Sequence, residues 1–323
     1  MLSGVGFLRV LAVVIIAYVL YAYLLRLERR VVGRMRLRGE AKWGPLWPLV
    51  DVARALVKST APPPDAWRPL YYAAPLLTLG ATLEALAVIP AGPGTTMLGG
   101  RSVGNTAALD PALLIIVALD WLSLVGPLLS AWSARLDYLR EESRRVARIG
   151  LGYSLPALVS LGGVVLLAGS LGLREIGRAQ CAGLPYVVYQ PLGLLTFALS
   201  SLLASRRLPL RLPGTKDSLL GDFHLQHAGT VWALYHLAEY LHLFLLGALI
   251  ATVYLAGWCG PWRAGWHWLV LKALAVTIVL LWLRHGWLAR RAQELGRRAW
   301  RILMLLAISN ALLTGATLLA SLR

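Results

Sequence analysis

Three carboxylates stand inside long apolar runs of this chain: Glu84, Asp120 and Glu239, the last with His236 three residues before it and Tyr240 beside it. A charged side chain at the centre of a bilayer costs roughly 2.5–3.5 kcal/mol or more, so such residues face protein or a wet cavity and mark ion paths or proton relays. An i, i+3 spacing puts His236 and Glu239 on one side of a helix, within reach of the same protons. His236, His242 and the carboxylates at Glu84 and Asp120 extend the set, with Asp120 the stronger of the two acids. Read alone, His236 and His242 are the kind of satisfied polar group that a helix bundle holds.

A second titratable group lies in the polar, Pro- and Gly-punctuated stretch 205–229, which carries Arg207, Arg211, Asp217, Asp222, His224 and His227 on a frame that includes Pro209 and Pro213. Its imidazoles titrate near neutral pH and can partly stand in for acids. No His, Cys, Asp and Glu cluster has metal-ligand spacing, so no metal site is expected. The sequence has no Gly-rich phosphate loop, nucleophile triad or iron–sulfur cysteine pattern, and the expectation is a chain with neither metal nor flavin of its own.

The elements that must hold these groups are membrane helices. Of the 323 residues, 58% are hydrophobic and only 15% charged, and the mean hydropathy is +0.65. Such a composition does not suit a soluble domain of this length. Apolar runs long enough to cross the hydrocarbon core lie near 4–25, 69–90, 109–132, 149–171, 182–204, 229–256, 266–284 and 299–320. The fold expected is an all-α membrane protein, a single eight-helix transmembrane domain over 1–323. Pro75 and Pro127 fall inside the second and third spans, where a kink rather than a break is expected.

The basic residues orient the bundle. Of 32 Lys and Arg, 25 fall in the first, third, fifth and seventh connections and four in the second, fourth and sixth. The positive-inside rule then places the odd loops in the cytoplasm and both termini outside a cell membrane. The net charge of +17 is thereby explained without nucleic acid, since no basic face is interleaved with stacking aromatics. The first apolar run is too long for a secretion signal and its basic cluster follows it, so it reads as a retained anchor. Cys181 and Cys259 both fall at outward helix ends. A disulfide is permitted there, two small apolar residues at helix ends being the plainer reading, and a Cα separation well above ~7 Å would exclude a bridge.

In the first connection, Glu28 to Pro45 is densely basic, and 46–59 places Leu46, Leu49, Val50, Ala53, Leu56 and Val57 at helical spacing with Asp51, Arg54 and Lys58 opposite. Too short to span, it reads as a cytoplasmic-side amphipathic surface helix. The run Ala61 to Asp65, with three prolines, then stops it.

Here Glu28, Arg29, Arg30, Gly33, Arg34, Gly44, Pro45, Pro48, Leu49, Asp51 and Lys58 resemble the signature of the H-subunit family of NADH-quinone oxidoreductase, membrane proteins also called NADH dehydrogenase subunit 1. The similarity continues through Ser123–Ala134, Arg144–Leu171 (with Arg145, Tyr153 and Pro156 in register), Tyr189–Leu202, Ala233–Pro261, Leu271–Arg284 and Trp300–Leu313. The family's topology, eight spans with both termini outside, is the one expected above.

That resemblance implies a place at the junction of the membrane arm and the peripheral arm of a complex I-like enzyme. The bound substrate would be quinone, shared with partner subunits. The partners would be other membrane-arm subunits, peripheral iron–sulfur subunits and the lipid bilayer. The resemblance implies a quinone-chamber and coupling loop at 205–229, with Arg207, Pro209, Arg211, Pro213, Asp217, Asp222, His224 and His227. It also implies an acid at Glu239 in an ion path that includes His236, Asp120 and Glu84. Peripheral-arm docking falls to Glu28, Arg29, Arg30, Arg34, Asp51 and Arg145.

The carboxylates that the resemblance leads one to expect are replaced by Ala204, Arg211, Gly214, Lys216, Ser218 and Gln226 in and before the loop, and by Ser154 in the fourth span. Arg211 stays protonated at any relevant pH, and neither it nor Lys216 can work as an acid relay. The loop is therefore expected to dock and to line a chamber rather than to relay protons. The corresponding subunit of a membrane-bound hydrogenase, or a non-pumping anchor, is the alternative. A secondary transporter is disfavoured because no inverted repeat is seen.

Overall fold

The computed structural model describes residues 4–35, 50, 53–54, 57–58, 62–92, 95–97, 111–205, 229–262, 264–284 and 289–321. Among them the chain forms ten helices: α1 (Gly4–Met35), α2 (Arg68–Val88), α3 (Ala112–Ser133), α4 (Asp137–Ala168), α5 (Leu173–Ala182), α6 (Tyr186–Tyr189), α7 (Pro191–Ala204), α8 (Gly229–Tyr254), α9 (Trp266–Leu283) and α10 (Ala289–Ser321). Six of them, α2, α3, α4, α8, α9 and α10, hold stretches long and apolar enough to cross a membrane. The protein is all-helical and multi-pass.

The fifth expected span, 182–204, is divided. Pro191 has no N–H and restricts the residue before it, and Gln190 takes φ −133° and ψ 59° between α6 and α7. α7 has 14 residues, about 21 Å at the helical rise and short of a hydrocarbon core about 30 Å thick. α2 and α3, by contrast, continue through Pro75 and Pro127. α4 begins well before the apolar run expected at 149, its first turns carrying Arg140 on Asp137 at 3.0 Å and Arg148 on Glu141 at 2.9 Å. α1 likewise runs on to Met35, so Glu28, Arg29 and Arg30 belong to a helix end rather than to a loop.

α8 is the axis of the bundle. Of its most apolar stretch 89% is buried within the protein, against 22–44% in the other five candidate spans. α2, α9, α1 and α5 pack around it, while α4, α7 and α10 form a second group and α2 and α3 pair most extensively. Small residues allow the close approaches, as is usual where lipid gives no hydrophobic drive between helices. A Cβ on Gly126 of α3 would lie 2.7 Å from the Ala74 carbonyl of α2, and one on Gly247 of α8 would lie 2.7 Å from the Ala273 carbonyl of α9.

The C-terminal end of α8 is held by three devices. Cys181 and Cys259 form a disulfide, their Cα atoms 5.7 Å apart, so the bridge supersedes the plainer sequence reading. Beside it the Gln180 amide donates to the Thr252 and Val253 carbonyls at 3.0 and 3.1 Å and accepts from the Tyr186 and Ala256 N–H groups at 3.2 and 2.9 Å. The Lys272 ammonium donates to the Leu255, Gly257 and Cys259 carbonyls at 2.6, 3.2 and 2.6 Å. A cation at a helix C-terminus satisfies carbonyls that no N–H reaches.

Of the amphipathic helix expected over 46–59, only Val50, Ala53, Arg54, Val57 and Lys58 are described. The first four are helical, the Lys58 N–H donates to the Arg54 carbonyl at 3.1 Å, and all five are exposed.

Candidate functional site

Two turns of α8 carry Tyr235, His236, Glu239, Tyr240 and His242, and the helical period sorts them onto different neighbours. His236 and Tyr240 face α1. The Tyr21 hydroxyl lies 2.7 Å from His236 Nδ1, and Tyr240 donates to Glu28 Oε2. Trp232 covers the imidazole with ring centroids 4.5 Å apart, and the Tyr21 and Tyr240 rings meet edge to face at 5.1 Å. Both phenols are 2% exposed, so a carboxylate, two phenols and an imidazole form a polar seam through an otherwise apolar contact. Such hydrogen bonds between membrane helices stabilise by about 0.6 to 2 kcal/mol each.

Glu239 and His242 turn the other way, towards α2 and α3. They line a cavity of about 30 Å³ with Thr78, Thr82, Ser123, Ser205 and Arg284. Thr78 Oγ1 donates to the Ser123 carbonyl across the α2–α3 contact at 3.3 Å, and Thr82 donates to the Thr78 carbonyl at 2.8 Å. Arg284, at the end of α9, is only 6% exposed. This corrects its expected place on a solvated face: the last turn of α9 packs it inward against the cavity.

A second, larger cavity of about 70 Å³ lies between α3, α4, α7 and α8. Its wall is mostly aliphatic, with Phe197, Leu245, Leu246 and Leu249 prominent. His242 Nε2 and Asp120 Oδ1 meet at this wall, 2.6 Å apart. The two cavities share His242, Ser123 and Ser205. Ser154 and Ala204, two of the positions lacking an expected carboxylate, also line the larger one. The Ser154 hydroxyl donates to the Leu151 carbonyl of its own helix at 2.7 Å.

The other expected residues are placed unevenly. Glu84 is exposed on α2 of the single chain. Ala81 and Ala85 take the buried face, and Glu84 lies one turn from the helix end, where a carboxylate reaches the interface. Arg29 and Arg30 are exposed at the end of α1, and Arg145 is half-buried on α4. Glu28, near the end of α1, accepts from Tyr240 of α8. Arg207, Pro209, Arg211, Pro213, Asp217, Asp222, His224, His227 and Asp51 lie outside the described residues, as does the side chain of Arg34. Ser205, the first residue of the 205–229 stretch, opens onto both cavities. Among the described residues no group of three or more metal-ligating side chains is found.

Tyr21, Arg284 and the contact of Asp120 with His242 are the parts that sequence reading missed. Each joins residues far apart in the chain, 122 positions in the last case, and no local pattern carries that information.

Comparison with known proteins gives one consistent result. A family model described as NADH dehydrogenase matches residues 8–315. The H 1 subunit of NADH-quinone oxidoreductase from Geobacter metallireducens is 34% identical over 301 residues, 92% of this chain and 91% of that one. The H subunit of the Geobacillus kaustophilus NADH-quinone oxidoreductase is 33% identical over 320 residues, 96% and 92% of the two chains. The H 2 subunit of the Syntrophobacter fumaroxidans enzyme is 31% identical over 323 residues, 97% of each.

Proposed function

The chain belongs to the NADH dehydrogenase family of membrane subunits, and from that premise we propose that it is the membrane-arm H subunit of a complex I-like enzyme. In that role it anchors a peripheral electron-transfer arm, forms part of a quinone chamber and carries part of an ion path. The observation that carries this proposal is the family match across residues 8–315, joined by similar subunits named as quinone oxidoreductases over more than nine-tenths of their length. The membrane-bound hydrogenase alternative is correspondingly disfavoured.

We further propose the eight-span topology: α1 and the α6–α7 pair join the six long apolar helices, with both termini outside. The sorting of Lys and Arg into odd connections supports this orientation. So does the disulfide, since such bonds persist on the oxidising side of a cell membrane. The basic first, third and fifth connections would then face an acidic peripheral subunit, with electrostatic complementarity guiding the docking. Electrons come from redox centres on partner subunits, and quinone is a substrate shared with them.

In the ion path Glu239 is the central carboxylate. It sits about 15 Å along α8 from the cytoplasmic end, ten residues at the helical rise, in a cavity lined by hydroxyls, an imidazole and a guanidinium. Such groups can pass protons without exposing a charge to lipid. In the intact complex, Glu239→Gln is expected to lower proton translocation while the subunits still assemble. Proton translocation equal to the parent's would remove Glu239 from the path.

A further inference from the structure

We propose that His242 is the proton bridge between the two inner cavities, with Asp120 receiving on the side of the larger one. It rests on the reading of the chain as a proton-translocating subunit. Among the described residues, Asp120 and His242 are the titratable groups lining the larger cavity, its other walls being aliphatic, aromatic, Gly, Ala or Ser. The smaller has Glu239 and His242, with Arg284 as a fixed cation. Of the three residues common to both, Ser123 and Ser205 do not titrate. A proton moving from the Glu239 side to the larger cavity therefore has one ionisable group to cross, His242.

The geometry suits the transfer. His242 Nε2 is 2.6 Å from Asp120 Oδ1, within the range for direct proton exchange. Among the described residues Nδ1 has no hydrogen-bond partner, and the ring remains partly accessible, with 20% of its side-chain surface open and 33% of that of Asp120. In the neutral imidazole one nitrogen donates and the other accepts. Starting with the hydrogen on Nε2, a proton released by Glu239 arrives at Nδ1 and the ring becomes an imidazolium. The Nε2 proton then passes to Asp120 Oδ1. The ring is neutral again with its hydrogen on Nδ1, Glu239 is a carboxylate, and Asp120 is a neutral acid until it releases the proton to the larger cavity.

The charged and titratable groups around the imidazole are Asp120 from α3, Glu239 on α8 itself and Arg284 from the end of α9. α2, α4 and α7 present Thr78, Thr82, Ser154 and Ser201, none of which titrates. The ring is thus the one group there whose ordinary range lies near neutral pH.

The test uses the whole complex in proteoliposomes, with protons moved per electron and the pH profile of that ratio as readouts. His242→Gln keeps a side-chain donor for Asp120 but cannot ionise, so a merely structural role would survive it. The expected result is a severalfold lower ratio, because losing a positioned acid–base group slows its transfer step by about 10²–10⁴-fold, together with a changed pH profile. Asp120→Asn should lower the ratio as well, and the double variant should be no worse than the poorer single. Exchanging the partners as Asp120→His with His242→Asp should restore much of the ratio. Parent-like coupling and pH profile in assembled His242→Gln, alongside impaired Glu239→Gln, would overturn the bridge alone. A parent complex that moves no protons would overturn both the bridge and the reading it rests on.

Discussion

Gln180 is 2% exposed, and its carboxamide reaches backbone groups on three segments at the outer end of the bundle. The Tyr186 and Ala256 N–H groups depend on its Oε1, at 3.2 and 2.9 Å. Removing a partner from a buried donor costs about 1–3 kcal/mol per group, more than the bond itself returns. Gln180→Leu, close in volume, should therefore destabilise by roughly 2–5 kcal/mol. The thermal unfolding midpoint of the purified protein in detergent would fall, and an unchanged midpoint would contradict this placement. The same scale shows why the site was only half legible. Glu239 and Asp120 announced themselves as acids in apolar runs. Arg284 did not, because the basic residues that follow it made it read as a solvated face. Glu28, which the family resemblance places among the docking residues, also accepts from Tyr240, a contact between α1 and α8 that no local pattern carries.

Among the elements, α2 and α3 pair through small residues and hydroxyls, and the spacing of that contact fixes where Ser123 and Asp120 stand against α8. A Cβ on Gly126 would press on the Ala74 carbonyl at 2.7 Å, whereas one on Gly80 would meet nothing within 4 Å. Gly126→Val should therefore force α2 and α3 apart and lower the yield of assembled complex severalfold. Gly80→Val should leave assembly near the parent level, and equal yields from the two would show that the close contact is not needed. The apolar runs placed most helices because hydrophobic length is a direct physical requirement of spanning. They failed at two kinds of place. Charged turns extend α1 and α4 beyond their apolar runs, stabilised in α4 by pairs such as Arg140 with Asp137, and hydropathy does not register them. Gln190 before Pro191 breaks a run that is apolar throughout. Which faces of α8 meet α1 and which meet α3 depends on helix packing, so the proximity of His242 to Asp120 could not be read from spacing.

At the scale of the whole molecule, an apolar bundle with a buried central helix carries its titratable groups on one axis, α8, and its excess positive charge in alternate connections. That division fits a protein that spans the membrane, docks a partner on one side and handles protons within. In the proposed role, electron transfer to quinone is the activity of the assembly that holds the chain. The most direct measurement is quinone reduction by the complex purified from its native membrane through a tag on this chain, with and without a quinone-site inhibitor. The predicted result is co-purification with iron–sulfur subunits and loss of electron transfer on adding the inhibitor. Electron transfer insensitive to such inhibitors, in a complex that contains nickel and evolves hydrogen, would contradict it.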